Sequence, residues 1–141
     1  MNLTKYITSL LCCLLISFIS KSQDCTLNIG GEDDETIISV FQLNEEQQGK
    51  MEAWGRELQF KNKVLEDGMQ KLLDTHPQSK PEDVVIMGEK YKKLKDEFVA
   101  NSKEYDIKLL TLFNEKQYRR YVDLCREAFR RPLNRNSTIP E

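Results

Sequence analysis

Histidine occurs once in this chain, at His76, and that scarcity excludes more than any motif reveals. No HExxH pair, no glycine-rich phosphate loop and no Ser-His-Asp set is present, so the usual routes to hydrolytic and nucleotide chemistry are missing. One imidazole is also too little for a zinc centre, which takes several His, Cys or carboxylate ligands. The expectation is a protein that is not an enzyme and carries no cofactor and no metal. An excess of one charge is lacking too, with 21 basic against 23 acidic residues, which argues against a partner as highly charged as nucleic acid.

Long apolar runs are confined to the beginning of the chain. Lys5 precedes LLCCLLISFIS, which closes on Ser20-Lys21-Ser22. The run is short for a membrane span, and Ser20 and Ser22 supply the small residues of a cleavage site, so residues 1–22 read as a secretory signal peptide. Cleavage would leave Gln23 first, with no membrane insertion afterwards. The residues before Cys12 and Cys25 do not form a lipidation box. Loss of Lys5 and Lys21 would leave 19 basic against 23 acidic side chains, a net charge of −4. Cys12 and Cys13 would also leave, stranding Cys25 and Cys125. An even pair in an exported chain points to a disulfide within the chain, with free thiols or a bridge between chains as the alternatives.

Residues 23–42 are acidic and glycine-punctuated, then briefly apolar. Ile37, Val40 and Phe41 have helical spacing with Asp33 or Asp34 as cap, although the β-branched run would also suit a strand. Residues 43–131 form the main domain. Met51, Trp54, Leu58, Leu65, Met69 and Leu72 recur at three- and four-residue steps, the stripe of a long amphipathic helix ending near Thr75. Gly49, Gly55 and Gly68 interrupt it, to permit close packing or bending or to break it. His76 to Pro81 forms a turn, with Pro81 in the next first turn and Ser79 and Glu82 at capping-box spacing. A second helix carries Val84, Met87, Tyr91, Leu94, Phe98, Tyr105 and Leu112 in heptad register, with Asn101 and Lys108 as polar lapses. A last helix, Glu115 to about Arg131, places Tyr118, Tyr121, Val122, Cys125 and Phe129 inward. Residues 132–141 read as a loose tail. No strand pattern follows Phe41. The fold class is therefore all-α, an elongated helical hairpin with short flanking helices. Two such helices, each about 45 Å long, leave much surface uncovered, so a homodimer is expected.

One pattern is written twice. Leu43-Asn44-Glu45-Glu46-Gln47 and Phe113-Asn114-Glu115-Lys116-Gln117 each fall where a helix begins, placing Asn at the N-cap and Gln at N3. Asn accepts from the first turn while Gln reaches back to the cap's own N–H, a reciprocal capping box. Glu45, Glu46 and Glu115 place negative charge where the helix dipole favours it.

The order of these segments, with a cap motif opening the first long helix and another opening the last, resembles the Spy and CpxP family of periplasmic proteins. That family has two Leu-Thr-X-X-Gln motifs. Leu43, Asn44 and Gln47 match one, and Phe113, Asn114 and Gln117 the other, with Asn for Thr in both and Phe for Leu in the second. The likeness runs from about Ile37 to Pro132. It implies curved helical hairpins that dimerise into a cradle, acting as ATP-independent holdase chaperones for unfolded or aggregation-prone envelope proteins. The alternative it implies is a regulatory adaptor for the sensor domain of an envelope-stress kinase.

A holdase needs apolar groups among mobile charges. Candidates for client contact are Met51, Phe60, Met69, Met87, Tyr91, Lys92 and Lys93, with Trp54 as a further one. Core packing is the blander reading for Trp54, Tyr91, Phe98, Met51 and Met87, which have core spacing. Phe60 lies off its helix's stripe and is expected to be exposed. Arg119, Arg120, Arg126, Arg130 and Arg131 either favour a helix C-terminus or form a site for an acidic partner.

Overall fold

A computed structural model describes residues 23–136; the segment read as a signal peptide and the last five residues lie outside it. The described chain runs β1 (Asp24–Cys25), α1 (Asp34–Phe41), α2 (Glu45–Thr75), α3 (Pro81–Leu112), α4 (Glu115–Glu127) and β2 (Arg131–Pro132). The long helices α2 and α3 form the expected hairpin.

The apolar TIISVF stretch is helical. Asp33 caps α1 by backbone position only, and the Asp34 carboxylate accepts from Gly30 N–H at 2.8 Å. Gln42, in the left-handed conformation with φ 50°, ends α1. Leu43 N–H then donates to Ile38 C=O at 3.0 Å, satisfying a carbonyl the helix leaves open.

Helix α2 is unbroken across its three glycines. Gly55 is there for packing. A Cβ at that position would stand 3.0 Å from Gly30 Cα, so the N-terminal loop rests directly on the helix backbone. Gly49 faces open space, and Gly68 meets only Leu94 methyl groups at ordinary distance.

Pro81 occupies the first turn of α3 as expected, but the cap does not form as read: Lys80 is the N-cap and Ser79 makes no capping bond. The last helix stops at Glu127, short of Arg131. Phe129, expected inside, sits at φ 54° and is 91% exposed. There the chain leaves the helix: Arg130 N–H donates to Cys125 C=O at 2.8 Å and Phe129 N–H to Arg126 C=O at 3.0 Å. Nor is the following segment loose. Arg131–Pro132 pairs in parallel with Asp24–Cys25, a strand the periodicity did not show, because two residues carry no period. Leu133 is buried, and Arg135 donates to Phe113 C=O at 3.0 Å and pairs with Glu115 at 2.8 Å.

The core lies at one end of the hairpin. Ile37, Phe41, Met51, Leu58, Tyr105, Leu109, Leu110, Phe113, Tyr121, Cys125 and Leu133 form it, with Trp54 and Tyr118 packed at its margin. The Cys25–Cys125 disulfide closes it, spanning 100 residues with Cα atoms 5.7 Å apart. Lys108, a polar lapse in the stripe, lies over the Tyr105 ring at 4.1 Å and pairs with Glu104.

Candidate functional site

The two cap motifs meet. In each, Asn accepts from the Gln backbone N–H at 2.9 Å, and the Gln Oε1 accepts from the Asn backbone N–H, at 3.1 Å in the first motif and 2.9 Å in the second. Both boxes are complete. The side chains of Gln47 and Gln117 then face each other, their amide nitrogen and oxygen 2.9 Å apart in both directions. The remaining amide hydrogens go to carbonyls just before the opposite motif, from Gln47 to Leu112 at 2.7 Å and from Gln117 to Phe41 at 3.1 Å. Each buried amide thus spends both donors and both acceptor positions, as a polar group in a core must. Leu43 and Phe113 are buried beside this pair, and the Phe113 ring packs tilted against Phe41 with centroids 4.9 Å apart. The joint fastens α1, α2 and α4 to the end of α3.

A second fastening went unseen in the sequence. Asp106 is fully buried on α3 and accepts from the backbone N–H groups of Leu27 at 2.6 Å, Asn28 at 3.1 Å and Ile29 at 3.2 Å. Burial pushes its pKa up to about 6 against the opposing pull of those three donors. Tyr121 donates to Cys25 C=O at 2.6 Å and accepts from Leu133 N–H at 2.9 Å. Burial pushes its hydroxyl up to about 12. Asp24 pairs with Lys103 at 2.9 Å and with Arg131, which hold its carboxyl below the usual range. An acid beside a heptad stripe carries no signal for such a clamp, since its partners are backbone groups of a distant loop.

Beyond this closed end the hairpin is thin. No side chain of the described residues is buried past Leu65 on α2 or before Tyr105 on α3. Here lie most of the residues picked out for client contact. Phe60 is 74% exposed, as its phase predicts, with Val64 at 58% one turn along the same face. Met69, Met87 and Tyr91 are half-buried along the seam of the two helices, and Phe98 with them. Tyr91 and Phe98 therefore pack in the seam and lie outside the core. Lys92 and Lys93 are exposed, and Lys92 pairs with Asp96. Met51 is the exception. It is wholly buried in the core, so its helical phase outweighs the suitability of methionine for a surface. The sequence did not mark Val84, Val85, Ile86 and Val99, all exposed on α3. Val84 had even been placed on the covered stripe.

The ion pairs along the outer faces of the hairpin are ordinary surface pairs, including Arg56 with Glu52 at 3.9 Å and Lys63 with Asp67 at 2.7 Å. Such exposed pairs contribute little to stability. His76 caps the end of α2, its Nδ1 2.9 Å from Pro77 C=O. Among the described residues no group of His, Cys, Asp and Glu side chains is arranged to hold a metal ion, and no helix is long and apolar enough to cross a membrane. Comparison of the chain with family models, curated proteins and solved structures finds no match.

Proposed function

We propose that the chain is an exported, ATP-independent holdase that binds unfolded or aggregation-prone envelope proteins in the periplasm. The observation that carries this reading is the split character of the hairpin. One end is closed by a disulfide and two buried polar joints, while the hairpin exposes Phe60 and Val64 on its outer face near mid-length and Val84, Val85, Ile86 and Val99 beyond the core, among lysines and carboxylates. Apolar groups dispersed among charges favour weak contacts with many sequences over tight contact with one. The resemblance of the two cap motifs to those of the Spy and CpxP family supports the same reading, as does the N-terminal segment read as a secretion signal. A second copy covering part of the half-buried seam would make the working unit a homodimer.

The test is suppression of aggregation of an unrelated denatured protein by the chain at near-stoichiometric amounts without nucleotide. Phe60→Ser should weaken protection while leaving the melting temperature within about 2 °C, since the ring is mostly in solvent. Absence of protection by the wild type would overturn the holdase reading.

A further inference from the structure

Phe129 is the most exposed large apolar side chain among the described residues, at 91%, and its backbone lies in the left-handed region with φ 54°. Neither the core nor the local backbone accounts for a phenylalanine there. The position directly follows the cap of α4, where glycine is favoured because a bulky side chain is disfavoured at positive φ. A residue that costs the fold and packs on nothing in the core is a reason to look for a contact outside the chain. The base of the ring is stiff. Arg130 N–H donates to Cys125 C=O at 2.8 Å, Cys125 is bonded to Cys25, and Arg131–Pro132 pairs with β1. An apolar ring held out on a rigid turn loses little freedom when it is buried, which is what an anchor residue needs.

The same chain carries a place for such a ring. Where the N-terminal loop meets α2 and α3 lies a pocket of about 400 Å³, with Ile29, Leu58 and Phe98 as its apolar lining and Gly30 and Gly31 on the loop side. Ile29 and Leu58 are buried and Phe98 is half-buried, so the apolar surface is recessed. Pockets for small ligands run from about 300 to 1,000 Å³, and one at the small end suits a single aromatic side chain. The two glycines place no side chain over it.

The charges around knob and pocket are opposite in sign. Arg126 and Arg130 flank Phe129, are exposed and make no ion pair among the described residues; Glu127 is the one acid between Cys125 and Leu133. At the pocket, Glu66 on the rim and Glu32 and Asp33, which follow Gly31 directly, are likewise exposed and without an ion pair among the described residues. Lys63, also on the rim, is spent on Asp67 at 2.7 Å. The unspent charge beside the pocket is therefore acidic, and that beside the ring is basic.

We propose that a second copy of this chain inserts its Phe129 ring into this pocket, setting its Arg126 and Arg130 against Glu32, Asp33 and Glu66. Every copy then offers both a knob and a pocket, so reciprocal insertion closes a pair and single insertion extends a chain of copies. The contact lies apart from the seam of the two long helices and does not rest on the holdase reading.

Sedimentation equilibrium of the disulfide-bonded wild type should show self-association that weakens as salt is raised. Phe129→Gly should weaken it at least tenfold while raising the melting temperature, because glycine suits the left-handed position. A ring with a merely structural role would not separate those two readouts. Ser102→Phe, on the pocket wall, should weaken association as much by filling the space. Glu66→Lys, an exposed change on the rim, should also weaken it and takes the place of Ser102→Phe should that variant not fold. Mixing decides the matter. Phe129→Gly keeps the pocket and Ser102→Phe keeps the ring, so the mixture should regain the association each has lost, with amide shifts at Asn28, Gly31 and Asn62 of labelled Phe129→Gly. A wild type that stays monomeric at millimolar concentration would overturn the proposal, as would a mixture that regains nothing. Association unchanged by both variants would place the contact along the seam and overturn it too. So would binding to phosphatidylglycerol vesicles that Phe129→Gly removes while self-association persists, since the ring would then serve a membrane.

Discussion

Gln47 and Gln117 each close their own helix cap and hydrogen-bond to each other at 2.9 Å in both directions, so two local start signals are also one tertiary joint. Because both amides are buried and fully paired, losing one leaves the other with unmet donors and acceptors. Gln47→Leu or Gln117→Leu should each destabilise the fold by about 2–4 kcal/mol. The double variant should cost less than the sum by more than about 1 kcal/mol, because it leaves no orphaned partner. Urea titration of the three variants measures this, and simple additivity would show that the amides act separately.

The caps themselves are separable from the joint. Asn114→Ala removes the acceptor for Gln117 N–H and should cost about 0.5–2 kcal/mol, whereas Asn114→Thr keeps an oxygen there and should be nearly silent. Alanine and threonine equally harmful in denaturant titration would contradict the capping role.

Two glycines of α2 should respond in opposite directions. Gly49→Ala meets nothing within 4 Å and should stabilise by about 0.5–1 kcal/mol through helix propensity. Gly55→Ala drives a methyl group into Gly30 Cα at 3.0 Å and should destabilise, since backbone cannot give way as a side chain does. Thermal melts of the two variants would show it, and a stabilising Gly55→Ala would mean the loop does not rest on the helix.

Asp106 sets a pH dependence with a definite sign. Its folded-state pKa stands at about 6, above the ordinary 3.8, so the native state holds the proton more tightly than the unfolded chain. The resulting stabilisation is fully present below about pH 4, is lost as pH rises to about 6, and amounts to about 3 kcal/mol. Asp34, raised by burial, acts in the same sense, while Asp24, held down by Lys103 and Arg131, acts in the opposite sense at lower pH. The Asp106 carboxyl resonance should titrate with a midpoint near 6. A midpoint at or below 4 would mean that the three N–H donors outweigh burial.

Removing the Cys25–Cys125 bridge frees a 100-residue loop, and Cys25→Ser with Cys125→Ser should lower stability by about 2–5 kcal/mol. An unchanged unfolding midpoint would show that the joints and the short parallel pair alone hold the N-terminal segment.

Much of this architecture was legible because its causes are local. Three- and four-residue apolar spacing placed both long helices and put Phe60 on the outer face, and Asn-X-X-Gln placed two helix starts, since a cap is satisfied within one turn. Elimination of the early cysteines left one pair to join. Other features rest on contacts that no local pattern encodes. Gln47 meets Gln117 across 70 residues, and Asp106 holds a loop 77 to 79 residues away. The closed end of the hairpin was equally hidden. Heptad register continues along α3 to both ends, but only the half reached by α1, α4 and the N-terminal loop becomes core, because burial needs a second layer as well as an apolar stripe. The same reason turned Phe129 outward. Its spacing continued the helix, yet Arg130 bonded back to Cys125 and the chain left to pair with Asp24–Cys25, so the tertiary destination of the strand overrode the period of the helix.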